Sequence, residues 1–367
     1  MATSDVTVLG AGIAGLACAI ALRLRGRSVE VIEQAPALTE VGAGLQIAPN
    51  GGRVLDALGV APRALASRAV HLIDGSTGRN LIRMPLGEGF RLVHRADLID
   101  ALAARAREVG VAIRLGRRVA AIGVDHITFE DGALHPVKRL VGADGVRGVA
   151  REYVAPDHAS RYTGQVAWRT IVPVENWPAE AQVHVGAGRH LVLYPLRDGS
   201  ALNVVAVEER SDWVVEGWST EDDPENLRAA FARFDVPIRE ILARVEWVNL
   251  WGLMDHGVTP QWSRGAVTLI GDAAHPTLPF LAQGANLALE DAWTLAASLD
   301  EPARWEAVRR PRVTRALRAA ASNARNYHLS GVSRVVGHSA LRAMNRVAPD
   351  VPLRGLRWLY DADVTGD

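Results

Sequence analysis

The chain has very little cysteine or lysine, and neither sign of charge is in excess. Cys18 is the only cysteine among 367 residues, which excludes an internal disulfide, a cysteine-ligated zinc site and an iron–sulfur cluster. Lys138 is the only lysine, so Schiff-base or general-base lysine chemistry has almost no candidate. The 41 basic and 41 acidic residues cancel, and a neutral chain lacks the positive excess that binds nucleic acid.

The sequence also lacks a long uninterrupted apolar segment. The longest, residues 6–22, contains three glycines and has no basic segment in front of it, so it is neither a membrane span nor a signal peptide. We therefore expect a cytoplasmic protein without an integral membrane segment. Hydrophobic residues make up 49% of the chain, which is enough for a substantial core, and the length suggests two domains or one large domain.

The N-terminal part predicts a strand, a glycine-rich turn, a helix and a second strand. The apolar run 6–9 stops at the motif Gly10-Ala11-Gly12-Ile13-Ala14-Gly15. Residues 13–25 follow with helical spacing, and a second apolar run, 29–32, comes next. This order is typical of a dinucleotide-binding unit.

Each glycine of this turn has a physical role. Gly10 permits the tight turn, Gly12 lets the backbone approach a pyrophosphate, and Gly15 lets the helix pack close to the strand. The helix N-terminus offers N–H groups and positive dipole to phosphates. Glu33, directly after the second strand, is placed to accept hydrogen bonds from a ribose. The motif predicts a dinucleotide site but does not separate NAD from FAD.

The middle third predicts a β-rich second domain. Seven of the ten tryptophans lie between residues 162 and 262, together with alternating segments at 184–194 and 202–207. His190 and Tyr194 are four residues apart in the first of these segments, so both point to the same face of a strand. A lone histidine is more often structural than catalytic, and the pattern alone leaves the role of His190 open.

The α/β pattern returns late in the chain. The apolar strand 266–270 leads through Gly271 to Asp272, and Ala273-Ala274-His275-Pro276 follows. Residues 281–286 lead into a predicted helix over 286–299, and residues 302–345 are mostly helical in pattern.

With these motifs in this order, the sequence resembles the FAD-dependent aromatic hydroxylases, which are single-component flavoprotein monooxygenases. Within them it is most similar to the salicylate, 3-hydroxybenzoate and 6-hydroxynicotinate hydroxylases. The resemblance covers residues 5–330, and Gly148 departs from it because the family usually has serine there. The ending 359–362 matches only loosely. The motifs that carry the resemblance are 10–15, Ala143-Asp144-Gly145, 271–276, 42–50, Ala167-Trp168-Arg169 and 279–285.

The resemblance implies an α/β fold in which a three-layer Rossmann-like FAD domain carries an inserted β-sheet substrate domain and a helical C-terminal region. The FAD domain is expected to be discontinuous, over 1–70, 95–160 and 265–320. The substrate domain is expected over 71–94 and 161–264, and the C-terminal helical segment over 321–367.

The resemblance also implies which residues contact FAD. Asp272 is expected to bond the ribityl chain or nearby hydroxyls, and Arg95 the phosphates or the ribityl chain. The helix that begins near 283–286 is expected to place its positive N-terminus at the flavin pyrimidine edge. The implied cofactor residues are Gly10, Gly12, Ala14, Gly15, Glu33, Arg95, Asp144, Gly145, Gly271, Asp272, Pro279, Gly284, Ala285 and Asn286.

For the substrate, the resemblance assigns His190 and Tyr194 to the sheet that faces the flavin. His190 suits deprotonation of a phenol, and Tyr194 can orient the substrate through its hydroxyl. Gln46 and Gln283 are neutral hydrogen-bonding candidates near the ring. His275 is expected to be structural, and the histidines show no metal-binding spacing, so no metal is predicted.

The function implied is hydroxylation of a small phenolic or hydroxylated aromatic acid by NADH or NADPH and O2, through a flavin C4a-hydroperoxide. The expected partners are therefore the aromatic substrate, NAD(P)H and O2, in a monomer or homodimer. Three alternatives stay open: a ubiquinone-pathway hydroxylase with an apolar tunnel, a flavoprotein reductase or sensor that oxygenates nothing, and a plain NAD dehydrogenase.

Overall fold

The computed structural model describes residues 4–38, 44–212 and 220–366. The first two residues of the 42–50 motif lie outside these ranges. The described strands are β1 (Val6–Leu9), β2 (Val29–Ile32), β3 (Gly44–Ile47), β4 (Ala64–Ala66), β5 (Ala69–Asp74), β6 (Asn80–Pro85), β7 (Arg91–His94), β8 (Ala112–Arg114), β9 (Val119–Ile122), β10 (His126–Phe129), β11 (Leu134–Pro136), β12 (Leu140–Gly142), β13 (Arg161–Pro173), β14 (Ala181–Gly186), β15 (Arg189–Leu196), β16 (Ala201–Glu209), β17 (Thr220–Asp222), β18 (Val248–Asp255), β19 (Ser263–Arg264) and β20 (Val267–Leu269).

The described α-helices are α1 (Ile13–Leu24), α2 (Pro49–Leu58), α3 (Arg95–Glu108), α4 (Val149–Val154), α5 (Pro224–Ala230), α6 (Val236–Ala243), α7 (Gly284–Ala297), α8 (Pro302–Tyr327), α9 (Gly331–Val347), α10 (Val351–Arg354) and α11 (Arg357–Tyr360). Two short 3-10 helices, Gly271–Ala273 and Pro279–Leu281, precede α7. None of the described helices is long and apolar enough to cross a membrane.

A six-stranded sheet contains the predicted strand–turn–helix–strand unit. Its order is β19-β20-β12-β1-β2-β8, and every pair is parallel except β19 with β20. The four residues of β1 and of β2 are all buried, as expected for parallel strands covered on both faces. Helix α1 is buried from Gly15 to Leu22 and packs against α7 and α3. The predicted α/β class with a parallel sheet is confirmed.

An eight-stranded sheet forms the β-rich part, in the order β17-β18-β13-β16-β15-β14-β5-β6. Leu191 and Leu193 of β15 point to one face, where they join a core with residues of α5 and α6. Side chains in a strand alternate between faces, so His190 and Tyr194 point to the opposite face. The α5–α6 core therefore fixes which face of the sheet is free for a ligand.

Three predicted elements have different limits in the structure. The segment 184–194 is not one strand, because Ala187 and Gly188 form a tight turn between β14 and β15, with Gly188 at φ 66°. Helix α7 begins at Gly284, two residues before the predicted start. The C-terminal helical region is interrupted at 328–330, between α8 and α9. The limits proposed for the two domains stay a prediction.

Candidate active site

A cavity of about 900 Å³ lies between the two large sheets. Its lining comes from the start of α1, the loop after β12, the segment 272–282, the free face of the eight-stranded sheet and the inner sides of α8 and α9. This volume is near the upper end of the range for small-molecule sites. The cavity therefore has room for a ligand larger than a single aromatic ring.

One end of the cavity is built by the glycine turn. Gly12 and Ala14 line it, whereas Gly10 and Gly15 lie behind it. Gly10 has φ 102°, and a Cβ there would lie 2.5 Å from the carbonyl oxygen of Ala143; a Cβ at Gly15 would overlap the carbonyl oxygen of Gly10. These two glycines are thus required for the close packing of β1, β12 and α1.

The N-terminus of α1 is open to an anion. Its N-cap is Gly12, which supplies no side-chain hydrogen bond, and its first turn contains no acidic residue. The first N–H groups of a helix have no partner within the helix, and the dipole makes this end positive. A phosphate group at this end of the cavity would accept hydrogen bonds from these N–H groups and would be attracted by the positive helix end.

Glu33 holds the glycine turn from the end of β2. Its Oε2 accepts a hydrogen bond from the backbone N–H of Ala11 at 2.7 Å, and its Oε1 accepts one from Ala35 at 2.8 Å. Glu33 is not part of the cavity lining. Its carboxylate nevertheless lies beside the turn that faces the cavity, which is compatible with the predicted ribose contact.

Asp272 projects into the cavity from the short 3-10 helix that follows β20. Its side chain is exposed to the cavity, but the surrounding protein excludes bulk water, and this desolvation raises the pKa of the carboxyl. The nearby His275, Arg95 and Arg151 act in the opposite direction. Arg95, the first residue of α3, lines the same cavity. Behind this loop, Gly271 has φ 58°, and a Cβ there would lie 2.9 Å from the Cβ of Ala14.

The N-terminus of α7 is a second positive helix end at the cavity. Gly284 and Ala285 line it together with Pro279, and α7 has neither a side-chain cap nor an acidic residue in its first turn. Such an end stabilises negative charge placed against it.

Asn286 and Gln283 are buried beside the cavity and do not line it. The side chain of Asn286 accepts a hydrogen bond from the N–H of Ala48 at 2.9 Å and donates one to the carbonyl of Gln46 at 3.1 Å. Gln283 accepts a hydrogen bond from Asn50 at 3.2 Å. Both side chains therefore attach α7 to β3 and α2, whereas the Gln46 side chain reaches the cavity.

The predicted middle motif caps α4. Asp144 accepts a hydrogen bond from the N–H of Ala150 at 2.9 Å, and burial raises the pKa of Asp144 to about 6. A Cβ at Gly148 would overlap the carboxyl group of Asp144. The glycine that departs from the family pattern is thus required by this position of Asp144, and Gly145, with φ 79°, lines the cavity.

The other end of the cavity is the free face of the eight-stranded sheet, where His190 and Tyr194 both line it. His190 is 1% exposed, and its ring centroid is 5.6 Å from that of Phe280 and 5.1 Å from that of Tyr327. Burial lowers the pKa of His190 well below its usual value and raises the pKa of the Tyr194 phenol. His190 is therefore a neutral imidazole, and Tyr194 keeps its proton and can donate it in a hydrogen bond.

Arg169 of β13 is a cavity residue to which the sequence assigned no role. Its guanidinium lies 5.0 Å from the ring centroid of Trp251, and its buried Nε has no hydrogen-bond partner among the described residues. Desolvation lowers the pKa of this guanidinium. The only signal in the sequence was its place in the Ala167-Trp168-Arg169 motif, and an arginine within a strand gives no other indication of its surroundings.

These features fit FAD. Two uncapped helix N-termini face the cavity, and among the described residues its charged lining consists of Arg95, Arg147 and Arg169 against the carboxylate of Asp272. A pyrophosphate suits the first helix end, ribityl hydroxyls suit Asp272, and the electron-accepting ring of a flavin suits the second helix end.

His275 has a structural position. It is buried against Trp262, and its Nε2 lies 2.5 Å from Oδ2 of Asp291. The same carboxylate accepts a hydrogen bond from the N–H of Gly271 at 3.0 Å. His275 thus holds the loop that presents Asp272.

Comparison with known proteins gives the same picture. Residues 3–314 match the family model described as FAD binding domain. The chain is 37% identical to 3-hydroxybenzoate 6-hydroxylase of Polaromonas naphthalenivorans (strain CJ2), over 98% of this chain and 96% of that protein. It is also 37% identical to 3-amino-4-hydroxybenzoate 2-monooxygenase of Streptomyces cremeus, over 88% of each. A solved salicylate hydroxylase substrate complex has the same fold, with a TM-score of 0.80, 22% identity and coverage of 99% and 96%.

The family match covers most of the chain, and the relatives align over almost the whole of it. Both relatives are named as enzymes that oxygenate an aromatic ring. In this class FAD is the cofactor and NADH or NADPH is typically the co-substrate. The chain therefore belongs to the FAD-dependent aromatic hydroxylases, in the branch that contains the salicylate, 3-hydroxybenzoate and 6-hydroxynicotinate hydroxylases.

Proposed function

We propose that this protein uses NADH or NADPH and O2 to hydroxylate a small aromatic acid that carries a ring hydroxyl. The observation that carries the proposal is that one cavity joins an end suited to FAD with a sheet face that presents His190, Tyr194 and Arg169. A base, a hydrogen-bond donor and a cation at one aromatic-sized site match a phenol that also bears a carboxylate.

His190 would accept the phenol proton. A phenolate donates far more electron density to its ring than a phenol does, so ionisation prepares the ring for attack on an electrophilic oxygen. The neutral imidazole required for this is supported by the lowered pKa of His190. Tyr194, four residues along β15, would donate its hydroxyl proton in a hydrogen bond that orients the substrate.

Arg169 would bind the substrate carboxylate. A buried guanidinium that lacks a carboxylate partner among the described residues favours an anionic ligand, and arginine binds carboxylates with two parallel hydrogen bonds. The printed names of the relatives, which are hydroxybenzoate and aminohydroxybenzoate oxygenases, support the same substrate class. Gln46 would bond a ring substituent, and Gln283 would act indirectly through Asn50.

The cofactor residues would divide between contact and support. Gly12, Ala14, Arg95, Gly145 and Asp272 line the cavity and would touch FAD, with Pro279, Gly284 and Ala285 at its ring end. Gly10, Gly15, Gly271, Asp144 and Asn286 would support these contacts, and Glu33 would bond the ribose. Bound FAD would supply the redox chemistry: it would accept the reducing equivalents of NAD(P)H and would activate O2.

Exclusion of water matters for this reaction because an activated oxygen that meets water is lost as H2O2. Val192, Val205 and Val207 cover the free sheet face, and Leu341 and Met344 of α9 add an apolar wall.

We place the enzyme in the cytoplasm as a monomer or homodimer, with the domain limits given by the resemblance.

The proposal is tested with a panel of aromatic acids added to the FAD-loaded enzyme. We expect at least one hydroxybenzoate to accelerate NAD(P)H oxidation and to yield a hydroxylated product in proportion. The same acid with its ring hydroxyl methylated is the matched control and should give no product, because it cannot ionise. NAD(P)H oxidation that no phenolic acid accelerates would instead identify a reductase or sensor.

A further inference from the structure

A second buried histidine lies directly behind His190. The Nδ1 of His190 is 2.7 Å from the Nε2 of His328, which follows the end of α8. The Nδ1 of His328 is 2.8 Å from Oε1 of Glu209, at the end of β16. The His328 side chain is 3% exposed and that of Glu209 is 55% exposed. Three titratable groups thus form a continuous line from the cavity to the surface.

The hydrogen bonds in this line have a defined direction. A carboxylate only accepts, so the Nδ1 of His328 is the donor to Glu209, and the Nε2 of neutral His328 is then an acceptor. The Nδ1 of His190 therefore donates to His328, which leaves the Nε2 of His190 without a proton. Because His190 lines the cavity, this nitrogen is the one available to a substrate.

We propose that His190, His328 and Glu209 form a proton relay that carries the substrate's phenolic proton from the cavity to solvent. This inference rests on the proposed function, in which His190 accepts that proton. The Nε2 of His190 takes the proton as the phenol O–H bond breaks, and the electron pair stays on oxygen. The Nδ1 proton of His190 passes to His328, the Nδ1 proton of His328 passes to Glu209, and Glu209 releases it to water.

The surroundings of His190 explain why it needs such an outlet. Phe280, Tyr327 and the sheet remove water from its ring, so a positive charge held there is strongly disfavoured. If His190 gives up its Nδ1 proton while the substrate proton arrives at its Nε2, the ring does not have to hold a positive charge. Besides His328, the titratable group that faces His190 from α8 is Tyr327. Burial raises the pKa of Tyr327 to about 12, so this phenol is neutral.

The charges around His328 favour movement of the proton towards Glu209. Burial lowers the pKa of His328; the hydrogen bond and charge of Glu209 oppose this shift in part, and Arg189 of β15 adds to it. Arg189 is itself paired with Glu208 at 3.2 Å and donates to the carbonyl of Ala230, so it is fixed outside the line. The exposed carboxylate is thus the natural end of the path.

The relay is tested by proton release from the FAD-loaded enzyme. The enzyme is mixed rapidly, in weak buffer with a pH indicator dye, with 3-hydroxybenzoate, salicylate or 3-amino-4-hydroxybenzoate. We expect wild-type enzyme to release a proton on binding at least one of them. His328→Gln, which keeps hydrogen bonds but cannot pass a proton, and Glu209→Gln should slow release by roughly tenfold or more, up to the 10²–10⁴-fold that general-base assistance typically provides.

Ligand affinity and FAD content should stay unchanged in both variants, because neither residue lines the cavity. Glu221→Gln is the matched control: it removes an exposed carboxylate from the same sheet and should release protons as the wild type does. Proton release at the wild-type rate in both relay variants overturns the relay and leaves the proposed function intact. Absence of release by the wild type with all three acids also overturns the relay. A wild type that releases protons but forms no hydroxylated product contradicts the proposed function instead.

Discussion

At the scale of single residues, hydrogen-bond partners distinguish the side chains that join structural elements from the side chains that can bind a ligand. The side chain of Asn286 and the side-chain oxygen of Gln283 are bonded to β3 and α2, although the resemblance implied Asn286 at the flavin and Gln283 near the ring. Asp272 and Arg169 face the cavity from opposite sheets. A short motif reveals which residues lie near a site, but only the packed structure reveals which of them already have partners.

Glu33 and Asp272 should differ in their effect on FAD affinity. Glu33→Ala would remove the proposed charged hydrogen bond to the ribose, which contributes about 1.5–3 kcal/mol, so FAD affinity should fall roughly 10- to 100-fold. Asp272→Ala should lower affinity further, because Asp272 lines the cavity itself. Titration of the apoproteins with FAD measures both, with Glu33→Gln as the control that keeps the size of the side chain. Unchanged FAD affinity in either alanine variant would remove the role assigned to that residue.

His190→Ala should slow hydroxylation without loss of FAD. General-base assistance contributes about 10²–10⁴-fold, and this factor should be lost near neutral pH. Activity of the variant should partly recover as the pH rises towards the phenol's own pKa of about 10, because the substrate then ionises unaided. Burial lowers the pKa of His190 well below the ordinary histidine value of 6.5, so His190 is neutral at pH 6.5 and its titration should cause no loss of wild-type activity at that pH. A loss of bound FAD would show His190 to be structural.

At the scale of elements, helices α7 and α8 are joined by buried charges that no periodic pattern indicates. Arg309 of α8 is 3% exposed and lies 2.6 Å from Glu290 and 2.8 Å from Asp291 of α7. Arg312 joins Glu290 at 2.7 Å, and Asn50 of α2 also bonds Glu290. A sequence with 22% charged residues gives no sign of which ones are buried. This cluster holds the helix whose N-terminus faces the cavity.

Arg309→Met should destabilise the protein by about 3–5 kcal/mol, because it leaves the buried Asp291 without its arginine and the buried Glu290 with Arg312 alone. Denaturant unfolding of the apoprotein measures the change in the free energy of unfolding. Arg304→Met on the same helix, where the side chain is 80% exposed, is the matched control and should change stability by less than about 1 kcal/mol. Equal effects of the two substitutions would contradict the structural role of the buried cluster.

The start of α4 gives a prediction about pH. Asp144 has a pKa of about 6 in the folded apoprotein and an ordinary value of 3.8. The folded state therefore binds its proton more tightly, and the ionised group opposes folding above pH 6; this cost declines as the pH falls towards 3.8. Asp144→Asn should raise the free energy of unfolding at pH 7.5 and have little effect at pH 3.8. An identical effect at both pH values would show that burial of the charge is not the cause.

At the scale of the whole molecule, a mainly parallel sheet and a mainly antiparallel sheet meet at one cavity. The parallel sheet was predictable because β1, the glycine turn and α1 follow one another within the first 24 residues. The turn at Ala187-Gly188 and the interruption at 328–330 have weaker local signals and were missed. The pairing of His190 with His328 spans 138 residues. Such a contact depends on how the helical C-terminal region packs over the sheet, which no motif records.

Mass spectrometry of the product formed under 18O2 shows whether this protein transfers an oxygen atom from O2 to an aromatic ring. The FAD-loaded enzyme is given NAD(P)H and the hydroxybenzoate that most accelerates NAD(P)H oxidation. We expect the ring to gain one hydroxyl carrying the heavy isotope for each NAD(P)H consumed, because the oxygen comes from O2 and water is kept out of the cavity. NAD(P)H consumed with H2O2 as the only oxygen product, or a new hydroxyl whose oxygen comes from water, would contradict this expectation.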